Sequence, residues 1–271
     1  MKAFSARVKK IYLNKNNHSN SVPESSQPRL LRNIKGIIFD FDGTLFDNAF
    51  IALNLIFAYP PDLFRIWRER LVCKRFIGCD YFSAEDYYRA FFNAFARACK
   101  RTPEQVRSWY FDRFMPRMIN VLKKHYKCRP GVQELFRNFE NSNNIRIAVY
   151  SDYPLLRERL VALDVYTNSR ILLYGLDCFG AQKPCERPFL QIARDLGVKP
   201  EEVLVIGDRK ETDGFGAFNA GMRFFYLETG RKRYFRLDPY RRREKEALRG
   251  PSLVMYAGFW DDLAKLLATI K

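Results

Sequence analysis

Two aspartates, Asp40 and Asp42, stand two residues apart where an apolar run, IKGIIF at residues 34–39, gives way to the string DFDGTL. The run is short, rich in β-branched residues and bounded by a polar string, so it reads as a buried strand. Two carboxylates at the carboxyl end of such a strand face the crevice where open α/β sheets bind ligands. Like charges this close repel, and a cation or a shared proton is needed to hold them there; an oxygen-liganded Mg2+ meets that need. A loop with acidic helix-capping residues is the plainer reading of a bare DxD. The full DxDGT string is harder to dismiss, since with each residue at about 5–7% it arises by chance roughly once in a few hundred chains of this length.

The rest of the chain supplies elements able to position this pair. After Pro130-Gly131 the pattern alternates: a helix at 132–139, a strand at 145–150, a helix at 155–163, a strand at 171–174, a helix at 188–196, a strand at 203–206, a helix at about 215–220 and a strand at 223–227. That alternation predicts right-handed βαβ units, and so an α/β fold with a Rossmann-like parallel sheet and helices on both faces. Residues 47 to about 128 differ, with helical spacing, many aromatics and no strand run. Ser83 with Asp86, and Thr102-Pro103 with Gln105, mark two helix starts. Tyr87, Tyr88, Phe91, Phe92 and Phe95 recur at three- and four-residue spacing, as expected of packing inside an inserted all-helical domain.

With these elements in place, the sequence resembles the haloacid dehalogenase-like hydrolase superfamily. Asp40 and Asp42 match its first motif. Ser151, ending IAVYS, matches the Ser or Thr that hydrogen-bonds the transferred phosphoryl group. Lys183 of GAQKP matches the charge-offsetting lysine, and Asp208 with Asp213 in VLVIGDRKETDG matches the acidic motif. The resemblance implies a Mg2+-dependent phosphatase that cleaves a small phosphate monoester through an aspartyl-phosphate. Asp40 would be the nucleophile and Asp42 the acid and base; Thr44, Ser151 and Lys183 would contact the substrate. Asp40, the backbone carbonyl of Asp42, Asp208 and Asp213 would hold the metal, Asp213 directly or through water. It also implies a division into a core at 33–46 and 129–271 and a helical cap at 47–128. Arg65, Arg68, Arg70, Lys74 and Arg75 in the cap could bind an anionic substrate, although a solvated helix face is the commoner role of such residues. Two departures from the family's pattern are the Asp152-Tyr153-Pro154 after Ser151, where many members carry Asn-Gly, and the Arg209-Lys210 after Asp208.

A sugar phosphomutase would use the same motifs. Dehalogenating members, by the same resemblance, lack a second aspartate at the position of Asp42, which disfavours carbon–halogen cleavage. A binding protein for nucleic acid or an acidic partner is the reading from another class, and it rests on charge. The 271 residues carry 47 Lys and Arg against 30 Asp and Glu, a formal charge of +17. Residues 1–33 hold seven basic side chains against one acidic, and residues 231–249 hold nine against three. Such blocks attract polyanions, and Tyr234, Phe235 and Tyr240 interleave the second, but no nucleic-acid-binding motif accompanies either. Residues 1–32 are expected to be a flexible basic tail, because 14–28 are polar with only Val22 apolar. No apolar stretch is long enough to span a bilayer, and a secretory h-region is lacking, so the expected compartment is the cytoplasm. The six cysteines form no CxxC pair and lack histidine partners at zinc spacing, and they are read as reduced thiols.

Overall fold

The computed structural model describes residues 9–12, 30–141, 144–229 and 254–268. Seven strands form one sheet in the order β1-β7-β6-β5-β2-β3-β4, every neighbouring pair parallel. They are β1 (Lys9–Tyr12), β2 (Gly36–Asp40), β3 (Arg146–Tyr150), β4 (Ile171–Tyr174), β5 (Val203–Gly207), β6 (Arg223–Leu227) and β7 (Val254–Gly258). From β2 the chain steps outward through β3 and β4, then returns to the other side of β2 to begin β5. That reversal opens a crevice beside the carboxyl end of β2, the place where a parallel sheet accommodates a ligand.

Alternation along the central strands divides the core between two faces. Ile37, Phe39, Ile147, Val149, Leu204 and Ile206 point to one face, which is covered by α6 (Val132–Asn141), α7 (Leu156–Val161) and α11 (Trp260–Ala268). Ile38, Ala148, Tyr150, Val203 and Val205 point to the other, against α9 (Glu186–Asp195) and α10 (Phe215–Asn219). Because both faces are covered, these strands read as continuous apolar runs rather than as alternating ones.

Between β2 and β3 lie α1 (Ile51–Ala58), α2 (Leu63–Phe76), α3 (Ala84–Cys99), α4 (Pro103–Ser108) and α5 (Met115–His125), with a wide π turn at Trp109–Phe114 joining the last two. They enclose a separate apolar cluster that includes all five residues of the aromatic stripe. Both expected helix starts form. Thr102 and Gln105 make a reciprocal capping box, whereas Ser83 caps the Asp86 N–H and its hydroxyl donates to the Asp86 carboxylate. The inserted helical unit therefore has a core of its own, and a short α8 (Leu176–Phe179) packs against α3 from the sheet side.

The expected tail needs correcting in two places. Lys9–Tyr12 is an edge strand in parallel register with β7, and Leu30 and Leu31 are buried in the main core. Backbone ladder hydrogen bonds to a partner at the far end of the chain need no apolar signature in the polar sequence around them. The remainder of the tail, residues 1–8 and 13–29, lies outside the described residues, as does the basic segment after residue 229.

Candidate active site

Asp40 is the last residue of β2 and is buried. The Thr44 hydroxyl donates to its Oδ2 at 2.9 Å, and the Lys183 ammonium donates to its Oδ1 at 2.6 Å. The same ammonium donates to Asp213 Oδ1 at 2.8 Å and to the Tyr150 carbonyl at 3.1 Å, so one buried cation joins β2, β3 and the turn after β5. Asp208 directly follows β5. Asp40, Asp208 and Asp213, all buried, each bring a carboxylate oxygen within 4.8 Å of the others.

Two glycines permit this crowding. Gly43 has φ 93°, and a Cβ there would collide with the Asp208 carboxylate; a Cβ on Gly207 would collide with the side chain of Asp213. Arg129 braces the first loop from outside, donating through Nε to the Thr44 carbonyl at 2.8 Å and through Nη2 to the Gly43 carbonyl at 3.0 Å.

The electrostatics follow from burial. Loss of solvent, then the charge of Asp213, pushes Asp40 up to about 7, although Lys183 opposes the rise. Asp213 is also raised, chiefly by burial, again against Lys183. Burial alone would lower the Lys183 ammonium, but Asp213, Asp40 and Asp152 outweigh it and hold it well above the ordinary lysine value. Asp40 and Asp213 thus share the Lys183 ammonium, and burial still raises both carboxyls.

Asp42 lies outside this cluster. Its two carboxylate oxygens accept from Arg159 Nη2 at 2.5 and 2.6 Å, and its Oδ2 also accepts from the Ser151 hydroxyl at 3.1 Å. Ser151 Oγ in turn accepts from Arg159 Nη1 at 2.8 Å and from the Tyr153 N–H at 3.2 Å. Arg159 is wholly shielded from solvent, with its guanidinium 4.5 Å from the centre of the Phe41 ring. All seven expected side chains therefore gather at the carboxyl ends of β2, β3 and β5. They fall into two groups: Asp40, Thr44, Lys183, Asp208 and Asp213 in one, Asp42 and Ser151 in the other.

Three further residues serve these groups and escaped the sequence reading: Arg129, Arg159 and Asp152, whose Oδ1 accepts from the Lys183 N–H at 3.0 Å. Arg159 lies on the helix expected at 155–163, two residues from Arg157. One arginine is exposed and the other fully buried, and composition alone does not distinguish them.

The inserted helices reach this site through the Lys183 loop. Gly78 N–H donates to the Lys183 carbonyl, Gln182 N–H to the Cys79 carbonyl and Tyr81 N–H to the Gly180 carbonyl, each at 3.1 Å. Arg187 grips Asp80 beside them through Nε at 2.6 Å and Nη2 at 2.7 Å. The five cap residues considered for substrate binding are divided. Arg65 pairs with Asp62 at 3.1 Å, and Arg68 donates to the Ala98 carbonyl, so both have structural duties. All six cysteines are free thiols.

The family model of the haloacid dehalogenase-like hydrolases matches residues 34–221. A glyceraldehyde 3-phosphate phosphatase of Pyrococcus furiosus is 37% identical over 77% of this chain and 85% of its own length. A phosphoglycolate phosphatase of Aquifex aeolicus is 27% identical over 64% of this chain and 75% of its own. Among solved structures, a 2-haloacid dehalogenase from Pseudomonas syringae covers 87% of this chain and 98% of its own, with a TM-score of 0.54 at 19% identity, a likeness of fold.

Proposed function

Since the chain belongs to the haloacid dehalogenase-like hydrolase family, we propose that it hydrolyses a small phosphate monoester in two steps with Asp40 as nucleophile. The observation that carries this reading is the division of labour between the two motif aspartates. Asp40 is fixed by Lys183 and Thr44 among buried carboxylates, while Asp42 stands outside them beside Ser151. Two relatives named as phosphatases of small phosphorylated compounds support the substrate class.

In the first step an Asp40 oxygen attacks phosphorus, the bond from phosphorus to the alcohol oxygen breaks, and Asp42 gives that oxygen its proton. In the second, Asp42 takes a proton from water as the water attacks the aspartyl-phosphate, which regenerates Asp40 and releases phosphate. Ser151 and Lys183 contact the phosphoryl oxygens, and Lys183 offsets their charge. Arg159 aims Asp42 and Ser151 with one planar fork. It must also release an Asp42 oxygen when that carboxyl carries the proton, because both oxygens are occupied as acceptors. The second aspartate is what an alcohol leaving group requires and a halide does not, so ester cleavage is favoured over dehalogenation.

Asp40, Asp208 and Asp213 would hold Mg2+, with the Asp42 carbonyl as a further oxygen. The fit rests on an all-oxygen donor set of buried carboxylates in mutual reach. Bound there, the ion would shield an incoming phosphate from the carboxylates. Release of phosphate from p-nitrophenyl phosphate, dependent on Mg2+ and abolished by EDTA and by Asp40→Asn, is the expected result. Undiminished turnover by Asp40→Asn would remove Asp40 from the mechanism.

A further inference from the structure

Among the described residues, seven of the eleven exposed large apolar side chains fall between positions 50 and 71. On α2 they form one row: Leu63, Phe64, Trp67 and Leu71 lie outward, while Ile66, Val72 and Phe76 on the opposite side are buried in the helical unit. The Phe64 and Trp67 rings stack 5.9 Å apart, and each is more than half exposed. The helix is strongly basic, with Arg65, Arg68, Arg70, Lys74 and Arg75 against Glu69. Its exposed face is therefore apolar for two turns and ends in Lys74 and Arg75. Aromatic side chains held out in water beside cations have the pattern of a surface that meets a polar–apolar boundary.

A second observation lies beside this row. Phe64 borders a cavity of about 370 Å3 whose wall also includes Arg65, Arg101 and Arg113. The acidic residue in the wall, Asp62, is only 3% exposed and is consumed by hydrogen bonds from Trp109 Nε1 at 2.7 Å, Arg117 Nη1 at 2.6 Å and Arg65 Nη1 at 3.1 Å. Arg65 is paired with Asp62, which leaves Arg101 and Arg113 as the cavity's further cations, the charge that a phosphate group requires. None of the candidate catalytic residues lines it.

From this juxtaposition we infer that the outer face of α2 docks on an anionic phospholipid bilayer, with Phe64 and Trp67 entering the acyl boundary and Arg101 and Arg113 in the adjoining cavity taking a headgroup phosphate. A second copy of the chain is a poor occupant, because each copy carries +17. Segments 13–29 and 230–253 of the same chain are poor occupants too, since the first is polar and the second brings further cations to a cationic helix. An apolar ridge adjoining a cationic recess matches a lipid, which joins those two chemistries in one molecule.

The full chain carries its own reporter. Of its three tryptophans, Trp109 and Trp260 are 5% and 4% exposed, whereas Trp67 is 53% exposed. A blue shift of tryptophan emission on adding vesicles thus reports Trp67 leaving water. The test compares co-sedimentation and emission with vesicles of phosphatidylcholine alone and of phosphatidylcholine mixed with phosphatidylserine, for the wild type, Phe64→Ser and Arg101→Gln/Arg113→Gln. Circular dichroism checks that each variant is folded. Binding with a blue shift on the anionic vesicles is expected. It should weaken about tenfold or more in Phe64→Ser, from the apolar area lost, and it should fall in the double arginine variant. Inorganic phosphate alone should leave the emission unchanged. Vesicle binding without a blue shift would assign the attraction to the basic segments and overturn the inference. So would equal binding to both vesicle types, no vesicle binding, or a concentration-dependent dimer that shifts Trp67 without lipid.

Discussion

The guanidinium of Arg159, with no exposure to solvent, reaches both carboxylate oxygens of Asp42 through Nη2 and the hydroxyl of Ser151 through Nη1. One planar group thereby sets the relative positions of a residue from the β2 loop and one from the end of β3. Arg159→Gln should lower kcat for p-nitrophenyl phosphate by roughly ten- to a hundredfold, since misdirected acid/base catalysis forfeits part of a contribution of about 10²–10⁴. Arg159→Lys should recover only part of this, because a single ammonium lacks the fork. A change in the acid limb of the pH–rate profile would accompany the loss. Unchanged kcat and pH profile in a folded Arg159→Gln protein would deny the residue a positioning role.

The buried carboxylates make metal-free stability depend on pH. The folded-state value of Asp40 is raised to about 7 from the usual 3.8, so between these values the folded protein keeps a proton that the unfolded chain has released. Stability is then lost as pH rises through that window, and the raised Asp213 acts in the same direction. In EDTA, thermal melts should show Tm falling from about pH 5 to about pH 8, with Asp40→Asn flattening the slope; added Mg2+ should raise Tm more at the higher pH. Glu69, raised to about 6 by burial, contributes in the same sense, so the Asp40→Asn comparison isolates the site. A slope unaltered by Asp40→Asn would contradict the assignment.

Asp62 joins three elements of the helical unit, accepting from Arg65, Trp109 and Arg117. Burial would raise this carboxyl, but the Trp109 and Arg117 hydrogen bonds and the nearby arginines prevail and hold it below the ordinary value. Its stabilisation is present above the unfolded value and lost as pH falls through the folded one. Asp62→Ala, which strands a buried indole N–H and two cations, should cost about 3 kcal/mol in urea unfolding at neutral pH. A cost near zero would show that the three donors find other partners.

The strap between the helical unit and the Lys183 loop is closed by the Asp80–Arg187 pair. Both side chains are partly solvated, so Asp80→Asn should cost only about 1 kcal/mol of global stability. Its larger effect should be local: faster amide exchange at Gly78, Tyr81 and Gln182, whose N–H groups make the strap, and a higher KM as the Lys183 loop loosens. Exchange unchanged at those amides would mean that the backbone hydrogen bonds hold the strap unaided.

Legibility in the sequence followed the physics of each feature. The central strands β2, β3, β5 and β6 were readable because they lie in the sheet interior between two apolar clusters, which leaves unbroken apolar runs such as Val203–Gly207; the edge strand β4 was read from its own short run, and β7 was not anticipated. β1 was hidden because an edge strand is held by its ladder, and KKIY carries no apolar run. At the site, Asp40, Asp42, Lys183 and Asp208 were visible because each sits at a strand end or in the loop beyond it, where charge is conspicuous against an apolar background. Arg159, buried on a helix, and Arg129, half-buried in a turn, were not, because such arginines look like solvated ones until tertiary packing shows which way they point. Lys183 itself was legible, but its bridging of Asp40 and Asp213 depends on tertiary approach, with Gly207 leaving room for the Asp213 side chain.

The central claim is that phosphorus becomes bonded to Asp40. Rapid acid quench during turnover of a phosphate ester, reduction with borohydride and peptide mass spectrometry would locate the acyl-phosphate directly, since a phosphorylated aspartate is reduced to homoserine. The account predicts homoserine at position 40, none in Asp40→Asn, and, with p-nitrophenyl phosphate, whose leaving group departs without a proton, more of it in Asp42→Asn, where hydrolysis of the intermediate lacks its base. Homoserine at another aspartate, or sustained phosphate release with none at position 40, would contradict it.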